Sequence, residues 1–187
     1  MLLLSLCIPT NGIIEWVLPV LDSIYAQNVD LSLFEVIVAD NGSSKEFEAV
    51  IRDYSKYYSN LTYKKTTAIG FLNQIECFKL ASGKFIKFIN HRMPLKDGTV
   101  QKFLEISKKY GETKPTVFFT NGTISYNKNV LEFTSFDAYV SFIGYMASWS
   151  GGTAFWKDDF ENNEIVNYNN DGIYMVTYRE YKTFKYN

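Results

Sequence analysis

Leu3-Leu4-Ser5-Leu6-Cys7-Ile8 is a short, nearly continuous apolar run, the pattern of a strand buried on both faces of a parallel sheet. It stops at a cluster of turn-forming residues, Pro9-Thr10-Asn11-Gly12. From Ile13 to Gln27 apolar positions recur at helical spacing: Ile14, Val17, Leu18, Leu21, Ile24 and Tyr25. Pro19 argues against an unbroken helix there, because proline removes an interior helix bond. Phe34 to Ala39 predicts a second strand, and Asp40-Asn41-Gly42-Ser43-Ser44 a polar loop able to cap a helix. Phe47, Val50, Ile51 and Tyr54 then predict a helix within residues 46–58. Leu61 to Lys65 is a weaker third strand, and Phe71 to Leu80 a helix ended by Ser82-Gly83. Lys84 to Ile89 is a fourth strand, followed by Asn90-His91-Arg92. Asp97-Gly98 precedes a helix through Lys109, and Thr116 to Phe119 reads as a fifth strand.

After residue 120 the pattern changes. Asn121-Gly122, Asn127 and Asn129 suggest turns between short strands, and Phe136 to Trp149 is apolar and aromatic. Ser150-Gly151-Gly152 breaks that run, Thr153 to Trp156 suits a strand, and Asp158-Asp159-Phe160-Glu161 the start of a helix. The tail from Asn162 shows no clear periodicity. The alternating strand–helix order of the first hundred residues predicts an α/β fold: a mostly parallel sheet flanked by helices and joined by right-handed crossovers. Ligands in such sheets bind outside the carboxyl ends of the strands. Pro9–Gly12, Asp40–Ser44 and Asn90–Arg92 all lie there, so three distant polar stretches should converge on one crevice.

Composition narrows the class. With 187 residues, 47% hydrophobic and 21% charged, the chain can bury a core and reads as one domain rather than as a disordered segment. The formal charge of −1 disfavours a general nucleic-acid binder. Cys7 and Cys77 give neither a disulfide framework nor zinc spacing. Met1-Leu2-Leu3-Leu4 has no basic flank and is far short of the ~20 apolar residues a bilayer span takes, so a cytoplasmic protein is expected, at most peripheral on the inner face of the membrane.

From about Leu4 to Leu104 the chain resembles a family 2 glycosyltransferase of the GT-A fold. The pieces are Ser5-Leu6-Cys7-Ile8-Pro9-Thr10, Leu21-Asp22-Ser23-Ile24 with Gln27, and Glu35 through Ser44. Asn73, Leu80-Ala81-Ser82-Gly83-Lys84-Phe85-Ile86, Leu95 and Gly98 continue them in order. A looser likeness, Ser148-Trp149-Ser150-Gly151-Gly152 with Phe155-Trp156-Lys157, matches the acceptor-side segment of polysaccharide-assembly members. The resemblance implies a single domain over 1–187, with a nucleotide-sugar-binding half (1–115), an acceptor-side half (116–161) and an unplaced tail (162–187). It implies transfer of a sugar, with inversion, from a UDP-sugar to a hydroxyl of a growing surface glycan or lipid-linked saccharide. Pro9, Thr10 and Asn11 would border the nucleotide, joined by Asn73, Asn90 and His91. Asp40 would hydrogen-bond the base or ribose, a carboxylate being able to accept from an imide or a sugar hydroxyl. A helix-capping role is the other reading of Asp40.

One departure from the family stands out. Members carry an Asp-x-Asp signature after the fourth strand, whose acids hold Mg or Mn against the donor diphosphate; here Asn90-His91-Arg92 stands in its place. Asparagine is a poor hard-cation ligand and arginine is none, so no cofactor is firm and no metal-ligating residue is assigned, with divalent Mg or Mn left as the open alternative. Two readings follow. Either Arg92 takes over the cation's task, its fork of N–H donors suiting phosphate oxygens, or catalysis is lost and the domain, intact or truncated, serves a partner glycosyltransferase. His91, the single histidine, would add a hydrogen bond or stand as a surface residue. An inverting transfer also needs a base at the acceptor hydroxyl. Asp158 is the first choice for its nearness to Trp156-Lys157, ahead of Asp159 and Glu161, with Asp137 and Asp171 further off. Trp149 and Trp156 are expected to stack on sugar faces or to be core, and Gly151-Gly152 to let backbone approach the acceptor.

Overall fold

The computed structural model describes residues 2–120 and 130–161. The leading apolar run forms β1 (Leu4–Thr10), followed by α1 (Ile14–Tyr25), β2 (Phe34–Asp40), α2 (Lys45–Tyr54) and β3 (Leu61–Lys65). A short turn of helix then enters α3 (Asn73–Lys79), which precedes β4 (Phe85–Phe88) and α4 (Thr99–Tyr110). β5 (Val117–Phe118), α5 (Phe136–Ile143), β6 (Thr153–Trp156) and α6 (Lys157–Glu161) complete the described elements. The expected turns at Asn121–Asn129 and the tail from Asn162, Asp171 included, lie outside the described residues.

The six strands form one sheet in the order β3-β2-β1-β4-β6-β5. β1 pairs in parallel with β2 and β4, and β2 with β3, as the buried apolar runs predict. β6 is inserted antiparallel between β4 and β5. Alternate strand residues serve opposite faces. Leu4, Leu6 and Ile8 with Val36 and Val38 pack under α1, α2 and α4, while Cys7, Ile37, Ala39 and Ile86 pack against Ile75 and Phe78 of α3 and Phe160 of α6. Burial of these faces, at roughly 25 cal/mol per Å² of apolar surface, is the main term holding the sheet between its helices.

Pro19 sits inside α1, which runs through it. The proline lies on the exposed face, so the carbonyl it leaves without a helix bond can meet water, while Val17, Val20, Leu21 and Ile24 are buried. Ser44 caps α2, its hydroxyl accepting from the Phe47 N–H at 3.1 Å. The capping role weighed for Asp40 therefore belongs to Ser44.

Candidate nucleotide-sugar crevice

Thr10, closing β1, is where the three polar stretches meet. Its carbonyl accepts from the Asn41 backbone N–H (3.0 Å) and from Asn73 Nδ2 (3.1 Å). Its hydroxyl accepts from the Gly12 N–H (3.1 Å) and lies 2.8 Å from His91 Nδ1. The direction of that last bond follows the imidazole tautomer. The loops after β1, β2 and β4 are thus one bonded unit, and the convergence expected from the sequence is present. Asn11 stands exposed at the rim. Its carbonyl lies so close to Gly42 that a Cβ there would come within 1.9 Å of it. Only glycine lets the first two loops touch in this way. Pro9, one residue before Thr10, is held in register with Ala39.

Asn73 faces inward. Its amide donates to Ala39 O (2.7 Å) and Thr10 O, and its Oδ1 accepts from the Thr66 hydroxyl (2.6 Å). It ties the ends of β1 and β2 to the segment after β3. Asp40 is likewise turned inward and fully buried. Its Oδ1 accepts from the Gly42 N–H (2.7 Å), and its Oδ2 from the Tyr63 hydroxyl (2.8 Å) and Lys65 Nζ (2.9 Å). Burial, then the bond to Asp40, pushes the Tyr63 hydroxyl up, so it stays a donor. In this arrangement Asp40 ties the Gly42 loop to β3 from behind. Neither Tyr63 nor Lys65 is singled out by the sequence pattern, where both sit in an ordinary weak strand.

On the β4 side, Asn90 Oδ1 accepts from the Arg92 backbone N–H (3.0 Å), closing a tight turn. The Arg92 guanidinium lies over the Trp16 ring, its carbon 3.7 Å from the ring centroid. His91 meets the same indole at 5.3 Å. Trp16, in the first turn of α1, is not among the positions the helical spacing singles out. Stacking uses the guanidinium's flat face and leaves its N–H edges to hydrogen-bond. Among the described residues those edges have no acid partner. Ile13 caps α1 with no side-chain bond, and the first turn of that helix carries the Trp16 ring on which this arginine rests.

The donor set here does not suit a divalent cation. Asn90 Oδ1 is engaged by the turn, His91 Nδ1 by Thr10, and a guanidinium repels a metal. Among the described residues no three His, Cys, Asp or Glu side chains are grouped to hold one.

Burial, then the Arg92 charge, lowers His91 to a pKa of about 4, against about 6.5 for a free imidazole. Between those values the unfolded chain binds a proton the folded chain does not. The resulting stability is full above about pH 6.5 and is lost as pH falls toward about 4. With allowance for the ring's partial contact with water, the loss should reach about 1–2 kcal/mol. Thermal unfolding at pH 7 and pH 5 should show a smaller acid-induced drop in His91→Gln than in the parent; equal drops would show that His91 is not the group responsible.

The acceptor-side residues divide between the two ends of the sheet. Gly151 stands at the carboxyl end of β4, where its carbonyl accepts from Lys87 Nζ (2.7 Å). Trp149 folds over it, within 2.7 Å of where a Gly151 Cβ would be. A Cβ on Gly152 would meet the Phe118 ring at 2.3 Å. Trp156 is core: 1% exposed, 4.7 Å from the Phe85 ring, its indole N–H donating to Pro115 O (2.8 Å). It offers no face to a sugar. Asp158 lies at the opposite end from the crevice, since the Lys157 N–H beside it donates to Lys84 O, just ahead of β4 (2.9 Å). There it is 59% exposed and paired with Lys114, whose ammonium holds it below the usual carboxylate range. Asp159 and Glu161 share α6 with it, and Asp137 is on α5. The strand between sets Asp158, the base expected from the sequence, apart from the crevice. At ~3.3 Å per residue, four residues of β6 carry the chain from the crevice to the far edge.

No helix among the described residues is long and apolar enough to cross a membrane. The fold matches several solved structures. Residues 1–349 of S. aureus TarS superpose with a TM-score of 0.74 at 16% identity, covering 96% of this chain and 55% of that one. The same protein in complex with UDP-GlcNAc gives 0.69 at 15% identity over 95% and 54%. The mannosyltransferase PcManGT of Pyrobaculum calidifontis, in complex with GDP-Man and Mn2+, gives 0.64 at 14% over 94% and 51%. In sequence, the uncharacterised glycosyltransferase MG025 of Mycoplasma genitalium is 29% identical over 91 residues, 47% of this chain and 30% of that protein. The chain thus spans about half the length of these solved structures and less than a third of the curated relative. The family model for glycosyl transferase family 2 matches residues 5–156, most of the chain and all six strands, and the chain belongs to that family.

Proposed function

We propose that the chain binds a nucleotide-sugar, a UDP-sugar first of all, in the Thr10–Gly42–Arg92 crevice and transfers its sugar to a hydroxyl of a growing surface glycan. The observation that carries this is Arg92 held over the Trp16 ring, at the place in the sequence where the family's metal-binding acids would stand. The UDP and UDP-GlcNAc complexes of TarS support the choice of donor. In a single displacement the acceptor hydroxyl oxygen attacks the anomeric carbon and gives up its proton to water in the crevice. The bond to the diphosphate breaks with its electron pair going to the leaving oxygen, and configuration inverts. Negative charge grows on that diphosphate, and a guanidinium already held in place favours its departure without reorganisation. The helix end at Ile14 adds a second positive pole.

This reading makes metal unnecessary. UDP should raise the unfolding temperature as much with a chelator as without, and uridine should raise it far less. Stabilisation by UDP only after Mg or Mn is added would overturn it. A binding-only role, as partner to another glycosyltransferase, is favoured by the placement of Asp158 away from the crevice. UDP binding with no sugar released from any UDP-sugar would select that role.

A further inference from the structure

Lys87 is the one charged residue of β4, between apolar pairs in the run Phe85-Ile86-Lys87-Phe88-Ile89, and it is 2% exposed. Its ammonium donates to three carbonyls: Gly151 O (2.7 Å), Phe88 O (2.8 Å) and Thr153 O (3.1 Å). The Phe119 and Phe103 rings face it at 5.3 and 5.7 Å. An ammonium has three donors, so this one side chain, three residues ahead of Asn90, joins β4 to both ends of the Gly151–Thr153 segment. Backbone bonds continue the tie: Phe119 N–H to Gly152 O (2.8 Å) and Gly152 N–H to Trp149 O (2.9 Å).

We propose that Lys87 is a positioning residue that holds the Trp149–Gly152 turn, the acceptor side of the crevice, in fixed relation to the Asn90–Arg92 turn on the donor side. This rests on the transfer reading above for its purpose, but not for its geometry. A charged group is suited to the task because carbonyls of two neighbouring segments, pointed at one spot, repel one another unless a cation lies between them. The ring faces add favourable quadrupole contact at no cost in hydrogen bonds. Buried and without water to relax into, the knot transmits the position of one turn to the other.

Hydrogen exchange on Lys87→Met tests this. The amides of Gly152 and Phe119 should exchange at least tenfold faster than in the parent, while those of β1 and β2 change less than twofold. UDP should bind the variant within threefold of the parent. In the parent, UDP should slow exchange at both the Asn90–Arg92 turn and Gly152; in the variant it should slow only the former. Lys87→Arg keeps the charge but has a planar fork that cannot serve all three carbonyls. It should show the same local loosening, and it decides the matter if the methionine variant does not fold. Parent-like exchange at Gly152 in both variants, or uniform acceleration through the whole sheet, would overturn the proposal. So would UDP protection that still reaches Gly152 without the lysine. If UDP protects nothing in the parent, the nucleotide reading fails, and the ligand-free exchange rates still judge Lys87.

Discussion

Arg92→Ala should weaken UDP binding about 10- to 100-fold, measured by titration calorimetry in the presence of chelator, and leave uridine binding within twofold. Hydrogen bonds to charged groups contribute about 1.5–3 kcal/mol each, and every 1.4 kcal/mol is about tenfold in affinity. Arg92 is exposed and rests on Trp16, so its removal opens no cavity and leaves no buried partner unpaired. The loss should therefore appear in ligand binding rather than in the stability of the free chain. Arg92→Lys separates charge from geometry: an ammonium neither stacks flat on the indole nor offers two parallel N–H groups, and it should recover only part of the affinity. Trp16→Leu should fall between parent and Arg92→Ala, since it frees the guanidinium without removing it. Equal loss of UDP and uridine in Arg92→Ala would mean that the arginine supports the crevice as a whole and does not grip the diphosphate.

Most of residues 1–115 is legible because the central strands are buried on both faces, and such strands write themselves as unbroken apolar runs. Phe34 to Ala39 is an instance, and so are the loops at its ends, which follow from turn chemistry. The convergence on Thr10 follows from parallel topology alone. What the sequence hides are long-range partners. Tyr63 and Lys65 become significant only because β3 lies beside β2 and brings them to Asp40. Trp16 becomes a platform only because the β4 turn folds back over α1. Lys87 is a lone charge in an apolar run, and its burial goes with β6 arriving as an antiparallel neighbour. The same arrival moves Asp158 away from Gly152. A short strand inserted out of sequence order leaves no local signal of its direction, and residues near in sequence then part company in space.

Asp40→Asn should lower the unfolding temperature by about 5–10 °C, the size expected of about 2–3 kcal/mol in a chain of this length. The carboxylate is fully buried and takes donors from the backbone at Gly42, from Tyr63 and from Lys65. An amide keeps one acceptor oxygen and places an N–H2 where the other was, facing groups that are themselves donors. Lys65 moderates the penalty because its side chain is 37% exposed and can turn toward water once its partner is neutral. Asp40→Ala should cost more, since the Gly42 N–H and the Tyr63 hydroxyl then lose their acceptor inside the fold. Lys65→Met and the double variant complete a cycle, and the double variant should be less destabilised than the two single losses added together. The cycle separates the two roles open to Asp40. A clamp behind the loop costs stability first and nucleoside affinity only in proportion to loosening of the Asn11–Gly42 contact. A residue that grips the base costs affinity first, so an Asp40→Asn protein melting within 1 °C of the parent but binding uridine tenfold more weakly would place the carboxylate on the ligand rather than behind it.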